Sequence, residues 1–266
     1  MIDPALFAAY GGLGLGVGFV AGLLGVGGGL IIVPVLIFML HAQVLGVGME
    51  PQLALGTSLA SILFTSLSSV RAHHRHGAVV WPLVRQITPG VVLGTLAGAI
   101  LATQMPAGVL KLFFVVFLFY AALQMGLDLK PAPHRGLPGR AGTTLAGGVI
   151  GAVSSWVGIG GGTLSVPFML WHNVSLHRAI ATSSAIGFPI ALAGAAGYVL
   201  GGWGVSGRPD GSLGFVYLPA LAGIVLGSVL TAPLGARTAH RLPVRPLKRI
   251  FAVLLLALAL RMVWTF

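Results

Sequence analysis

Apolar residues fill this chain in long blocks, and polar or charged residues collect in the short gaps between them. Reading the blocks against Pro, Gly and charge predicts helices near 5–24, 30–40, 54–70, 79–103 and 107–127. A second series follows near 142–157, 163–171, 179–200, 214–235 and 246–264. Most blocks approach the roughly 20 residues that a helix needs to cross a hydrocarbon core of about 30 Å. The segments 30–40 and 163–171 are about half that length, and a ten-residue helix rises only about 15 Å. A hydrophilic stretch from Asp128 to Arg140 carries Lys130, Pro131, Pro133, Pro138 and two arginines. It reads as a connector (128–141) between a first repeat (1–127) and a second (142–266), which together form a single membrane domain.

The two series are one series repeated. Leu24-Gly25-Val26-Gly27-Gly28-Gly29 with Val33-Pro34 returns as Val157-Gly158-Ile159-Gly160-Gly161-Gly162 with Val166-Pro167. Ala54-Leu55-Gly56-Thr57-Ser58 matches Ala179-Ile180-Ala181-Thr182-Ser183, and Gly90 and Gly94 match Gly223 and Gly227. Met105-Pro106 with Lys111 matches Leu242-Pro243 with Lys248. Glycine triplets followed by proline break a helix, and lipid tolerates bare backbone only where protein or a cavity surrounds it. Broken segments at matching places in two halves are the best pointer in a sequence to a transport site.

Composition narrows the class. Hydrophobic residues are 56% of the 266 positions and charged residues 7%, as expected of an all-α polytopic membrane protein and of no soluble fold. The first basic residue is Arg71, so the N-terminal apolar stretch lacks the basic start of a signal peptide and is expected to be the first membrane segment. With no cysteine, disulfides, thiolate metal sites and cysteine nucleophiles are excluded. Only Asp3, Glu50, Asp128 and Asp210 are acidic, all in or beside predicted loops, which argues against a membrane-embedded carboxylate relay. The net charge of +11 sits in short loops rather than in a basic tract with interleaved aromatics, so nucleic acid is not the expected partner.

Charge also orients the halves. Counting every segment of full length as a plain span divides the 15 basic residues eight to seven, with no bias. Letting the first two segments of each half form an in-and-out pair gathers twelve on the connector side and leaves only Lys111, Arg208 and Arg261 opposite. Basic residues favour the cytoplasmic face. The connector is therefore expected in the cytoplasm of a multi-pass inner-membrane protein, with both termini outside. Each half then crosses an odd number of times, so the repeats are inverted: each has a broken or re-entrant helix pair plus three spans. The two glycine hairpins enter from opposite faces, and their tips meet near the midplane.

Gly27, Gly28 and Gly29, with Gly160, Gly161 and Gly162, offer unobstructed amides beside the positive end of a short helix, a nest that attracts anions without formal charge. Close helix packing is the other use of such glycines. Thr57, Ser58 and Ser61, and their counterparts Thr182, Ser183 and Ser184, place hydroxyl donors near the starts of the following helices. Bonding back to the preceding turn is their alternative role. Gln52 and His177 precede the same helices and complete the candidate substrate-binding set. Arg85, Lys111 and Lys248 lie near helix ends, where snorkelling to headgroups competes with drawing in an anion. His73, His74 and His76 alternate with Arg71 and Arg75 and read as a basic interfacial loop rather than a metal site.

Gly16-Val17-Gly18-Phe19-Val20-Ala21 fits a dinucleotide-binding pattern, but the strand-turn-helix context is absent. No hydrolase triad order, zinc-protease motif or phosphate loop is visible, so neither catalysis nor a cofactor is expected.

The paired glycine motifs with their Val-Pro sequels, and the later Ala-x-x-Thr-Ser stretches, resemble the TauE/SafE sulfite exporter family of membrane permeases over 5–264. That resemblance implies transport of small sulfur oxyanions or organosulfonates, commonly export of sulfite, without ATP hydrolysis, at a site built from the two glycine hairpins and the Thr57/Ser58 and Thr182/Ser183 pairs. Some relatives that take up thiosulfate depend on cysteines, which this chain lacks. An importer of the same architecture and an anion channel are the alternatives.

Overall fold

The computed structural model describes residues 4–24, 28–43, 48–75, 77–127, 136–239 and 244–264. The first half forms α1 (Pro4–Leu24), α2 (Gly29–Ala42), α3 (Glu50–Arg75), α4 (Trp81–Gln104) and α5 (Ala107–Gly126). The second forms α6 (Arg140–Val157), α7 (Gly162–Trp171), α8 (Leu176–Gly201), a two-stranded hairpin, α9 (Leu218–Ala239) and α10 (Val244–Trp264). Six of these helices, α1, α3, α4, α5, α8 and α9, are long and apolar enough to cross a membrane, while α2 and α7 are the short pair. The fold is all-α and polytopic, as the hydrophobic blocks require.

One predicted segment starts too early. Residues 214–217 belong to the hairpin of β1 (Ser212–Leu213) and β2 (Val216–Tyr217), which pairs Ser212 with Tyr217 and Leu213 with Val216. Gly211 and Gly214 take positive φ of 83° and 57°, the left-handed values that suit glycine. Helix α9 begins only at Leu218, with Pro219 in its first turn, where the missing N–H costs nothing.

Large apolar side chains cover the outer helices: Leu93 on α4, Leu145 on α6, Leu230 on α9 and Ile250 on α10 are each more than two-thirds exposed. The hydrocarbon of a bilayer makes such a surface favourable. Helices α3 and α8 are mostly buried and form the centre. They cross antiparallel, since Gly56 lies against Tyr198 while Leu59 lies against Gly194.

Around that centre the halves exchange partners. Helix α1 packs on α9, and α6 packs on α4. Both contacts use glycines four residues apart. A methyl at Gly14 or Gly18 would strike the backbone of Ile224 or Ser228, and one at Gly223 or Gly227 would strike Tyr10 or the backbone of Gly11. Likewise Gly90 and Gly94 abut the backbones of Thr144 and Gly148, and Gly147 and Gly151 abut those of Ile87 and Val91. Lipid supplies no hydrophobic force between helices, so close van der Waals approach through small residues drives the pairing. Hydrogen bonds fasten the same seams: Thr231 Oγ1 donates to the Leu15 carbonyl at 2.7 Å, and Trp156 Nε1 to the Gly98 carbonyl at 2.9 Å.

Candidate functional site

The helix breaks anticipated at the glycine motifs are present in both halves. Helix α2 starts after Gly28, with φ 74° and ψ −16°, and α7 starts after Gly161, with φ 80° and ψ −13°. A side chain at either place would hold a left-handed conformation that costs roughly 1–2 kcal/mol. The Gly28 carbonyl accepts the amides of Ile31 and Ile32, and the Gly161 carbonyl accepts those of Leu164 and Ser165. That leaves the first-turn amides of Gly29 and Leu30, and of Gly162 and Thr163, with no acceptor among the described residues. Gly27 and its neighbours 25 and 26 lie outside the described residues.

The two breaks touch. A methyl on Gly29 would collide with the Gly158 carbonyl and stand 3.1 Å from the Ile159 Cα. Gly158 itself is left-handed, with φ 68°, and caps α6 by donating its amide to the Ser154 carbonyl. From the first half, Ser58 Oγ donates to the Gly158 carbonyl at 2.8 Å, fully buried.

The threonines of the Ala-x-x-Thr-Ser stretches behave as a reciprocal pair. Thr57 Oγ1 accepts the amide of Tyr217 at 2.9 Å, at the entry to α9. Thr182 Oγ1 accepts the amide of Val80 at 3.0 Å, at the entry to α4. These two helix-entry amides, one in each half, are therefore each satisfied by a hydroxyl from the other half. Tyr217 also meets Tyr10 edge to face, and burial pushes its phenol up, so the ring stays neutral at physiological pH.

The remaining candidates divide. Ser61 donates to the Ser58 carbonyl and Ser184 to the Ile180 carbonyl, bonds within their own helices. Ser183 Oγ accepts from Ser165 Oγ at 2.8 Å. Gln52 is buried, with Nε2 on the Met105 carbonyl at 3.0 Å and Oε1 unpartnered. His177 is exposed at the start of α8, away from the buried set.

Four residues absent from the candidate set adjoin the second break: Ser154, Ser155, Thr163 and Ser165, all at most 4% exposed. Their signal in the sequence was a run of hydroxyls around Gly158–Gly162 without a match around the first motif. Glu50 is more embedded than its loop-side position suggested. It is 4% exposed in the first turn of α3, where a helix N-terminus favours a carboxylate, and its Oε1 lies 3.5 Å from His41 Nδ1. Among the described residues no three His, Asp or Glu side chains gather to hold a metal. His74 instead receives a hydrogen bond from Trp81 Nε1 at 3.2 Å.

Comparison with known proteins follows the same lines. The sequence profile described as "Sulfite exporter TauE/SafE" matches residues 10–262. A probable membrane transporter protein of Haemophilus influenzae is 35% identical over 246 residues, 92% of this chain and 93% of its own. The probable membrane transporter protein YunE of Bacillus subtilis is 28% identical over 273 residues, 95% of each chain. One from Methanocaldococcus jannaschii is 24% identical over 247 residues, 87% of each. No solved structure matches the chain significantly.

Proposed function

This chain belongs to the TauE/SafE sulfite exporter family, and from that premise we propose that it is a secondary transporter that exports sulfite or a short organosulfonate across the cytoplasmic membrane by alternating access. The observation that carries this reading is the contact between the two helix breaks, Gly29 against Gly158, each beside unpartnered amides. Buried N–H groups are costly unless something accepts from them. An oxyanion does so with every oxygen, and the dipoles of α2 and α7 add favourable potential where both helices begin.

The arrangement also supports inverted repeats. The equivalent helices α3 and α8 run antiparallel, and so do α5 and α10, since Lys111 shares a cleft with Met262 while Gly126 faces Ala252. With the connector in the cytoplasm, the break at Gly28 opens from outside and the break at Gly161 from inside. Rocking one half against the other exposes the contact to each face in turn. Protons need no carboxylate relay, because sulfite and bisulfite interconvert near neutral pH and the substrate carries the proton itself.

Counterflow in proteoliposomes tests the reading. Vesicles loaded with unlabelled sulfite should accumulate labelled sulfite transiently, and Gly28→Leu and Gly161→Leu should abolish this while the protein stays folded in the membrane. Flux without counterflow would make the protein a channel. Normal counterflow in both variants would move the site elsewhere.

A further inference from the structure

The two breaks share a backbone conformation but not a chemistry. In register with Gly28 and Gly161, the first half carries Ala21, Leu30 and Ile32 where the second carries Ser154, Thr163 and Ser165. A buried serine or threonine in a helix ordinarily spends its proton on a carbonyl three or four residues back. Ser155 does so on Ala152 at 2.7 Å, and Ser184 on Ile180 at 3.1 Å. Ser154 and Thr163 do not. As residues they are 0% and 4% exposed, and their hydroxyls have no hydrogen-bond partner among the described residues. Ser154 Oγ lies 3.9 Å from the point where a Cβ on Gly161 would stand, so it faces the glycine turn itself. The amides of Gly160, Gly161, Gly162 and Thr163 likewise have no acceptor among the described residues.

Of the buried unpartnered hydroxyls among the described residues, Ser154 and Thr163 flank the second break, where the amides of 160–163 also lack an acceptor, while Thr95 lies on α4 and Ser212 in the hairpin. The matching side chains of the first half, Ala21 and Leu30, have nothing to donate. Ser165 adds little, because it already bonds Ser183.

We propose that the oxyanion site belongs to the second half: Ser154, Thr163 and the amides of 160–163 donate to the anion, while the break at Gly28 is its structural counterpart. This rests on the reading of the protein as an anion transporter. It replaces a site shared equally between the repeats with one side-chain-bearing break.

Full-length protein purified in detergent decides it, by calorimetric titration with sulfite, sulfate, thiosulfate and a short sulfonate, and by thermal unfolding without anion. Ser154→Ala and Thr163→Val should weaken sulfite binding by roughly 10-fold or more, the scale of one hydrogen bond to a charged group. The same two variants should match or exceed the wild-type Tm, because each removes an unsatisfied buried hydroxyl. Thr163→Ser should bind as wild type does, and Ala21→Ser should change nothing. Unchanged affinity in both hydroxyl-deleted variants, or a Tm lowered by them without anion, would overturn the assignment and leave the transporter reading intact. Wild-type protein that binds none of the four anions would overturn both.

Discussion

Ser58 on α3 donates a 2.8 Å hydrogen bond to the carbonyl of Gly158, so the central helix of one half holds the glycine turn of the other. The bond is buried and joins positions 100 apart in sequence. It commits the Ser58 proton to the protein rather than to a ligand. Ser58→Ala should therefore act through the turn, costing about 1 kcal/mol of stability for an acceptor left bare. Unfolding in a graded detergent mixture reads it, and wild-type stability would show that the turn holds its place without Ser58.

Thr57 and Thr182 make the symmetric demand. Each accepts a backbone amide of the opposite half, from Tyr217 and Val80. Thr57→Val and Thr182→Val should destabilise by similar amounts, about 1–2 kcal/mol, because each strands an N–H at a helix start. Serine at either position should restore most of the loss. Paired unfolding measurements check this, and a cost confined to one half would break the proposed equivalence.

Alternate glycines of α1 should respond with opposite sign. Gly12 and Gly16 have open space where a Cβ would stand, whereas Gly14 and Gly18 face the backbone of α9. Gly12→Ala and Gly16→Ala should gain up to about 1 kcal/mol from helix propensity alone. Gly14→Ala and Gly18→Ala should lose stability as α1 and α9 are forced apart. Melting temperatures of the four variants decide, and a uniform response would mean that the α1–α9 seam does not rest on close approach.

Topology follows from the twelve-to-three division of basic residues. This chain has no cysteine, so Leu137→Cys in the connector and Ser206→Cys in the loop before β1 each add one exposed thiol. An impermeant maleimide should reach them from opposite faces of an oriented membrane, Leu137→Cys from the cytoplasm. Labelling from one face would sink the inverted arrangement.

Most helices are legible in the amino-acid sequence. Segment 107–127 is α5 to within a residue, and the half-length segments are α2 and α7. A bilayer demands about 20 apolar residues per crossing, and Gly or Pro ends a run wherever backbone must turn, so both signals are local. The hairpin at 212–217 was not legible, since the residues of its second strand, Val216 and Tyr217, continue into the apolar block that becomes α9.

By itself, the sequence determined a duplicated, broken-helix membrane protein with glycine turns at equivalent places, because repetition, length and glycine are properties of neighbouring residues. It ranked Thr57, Ser58, Thr182 and Ser183 together as hydroxyls. Only the tertiary structure separated them, placing Thr57 on Tyr217, Thr182 on Val80, Ser58 on Gly158 and Ser183 on Ser165. It also left Ser154 and Thr163 unpartnered. The reason is physical: whether a buried hydroxyl is structural glue or a donor in waiting depends on which group from a distant helix fills its hydrogen-bonding shell, and no local pattern encodes that.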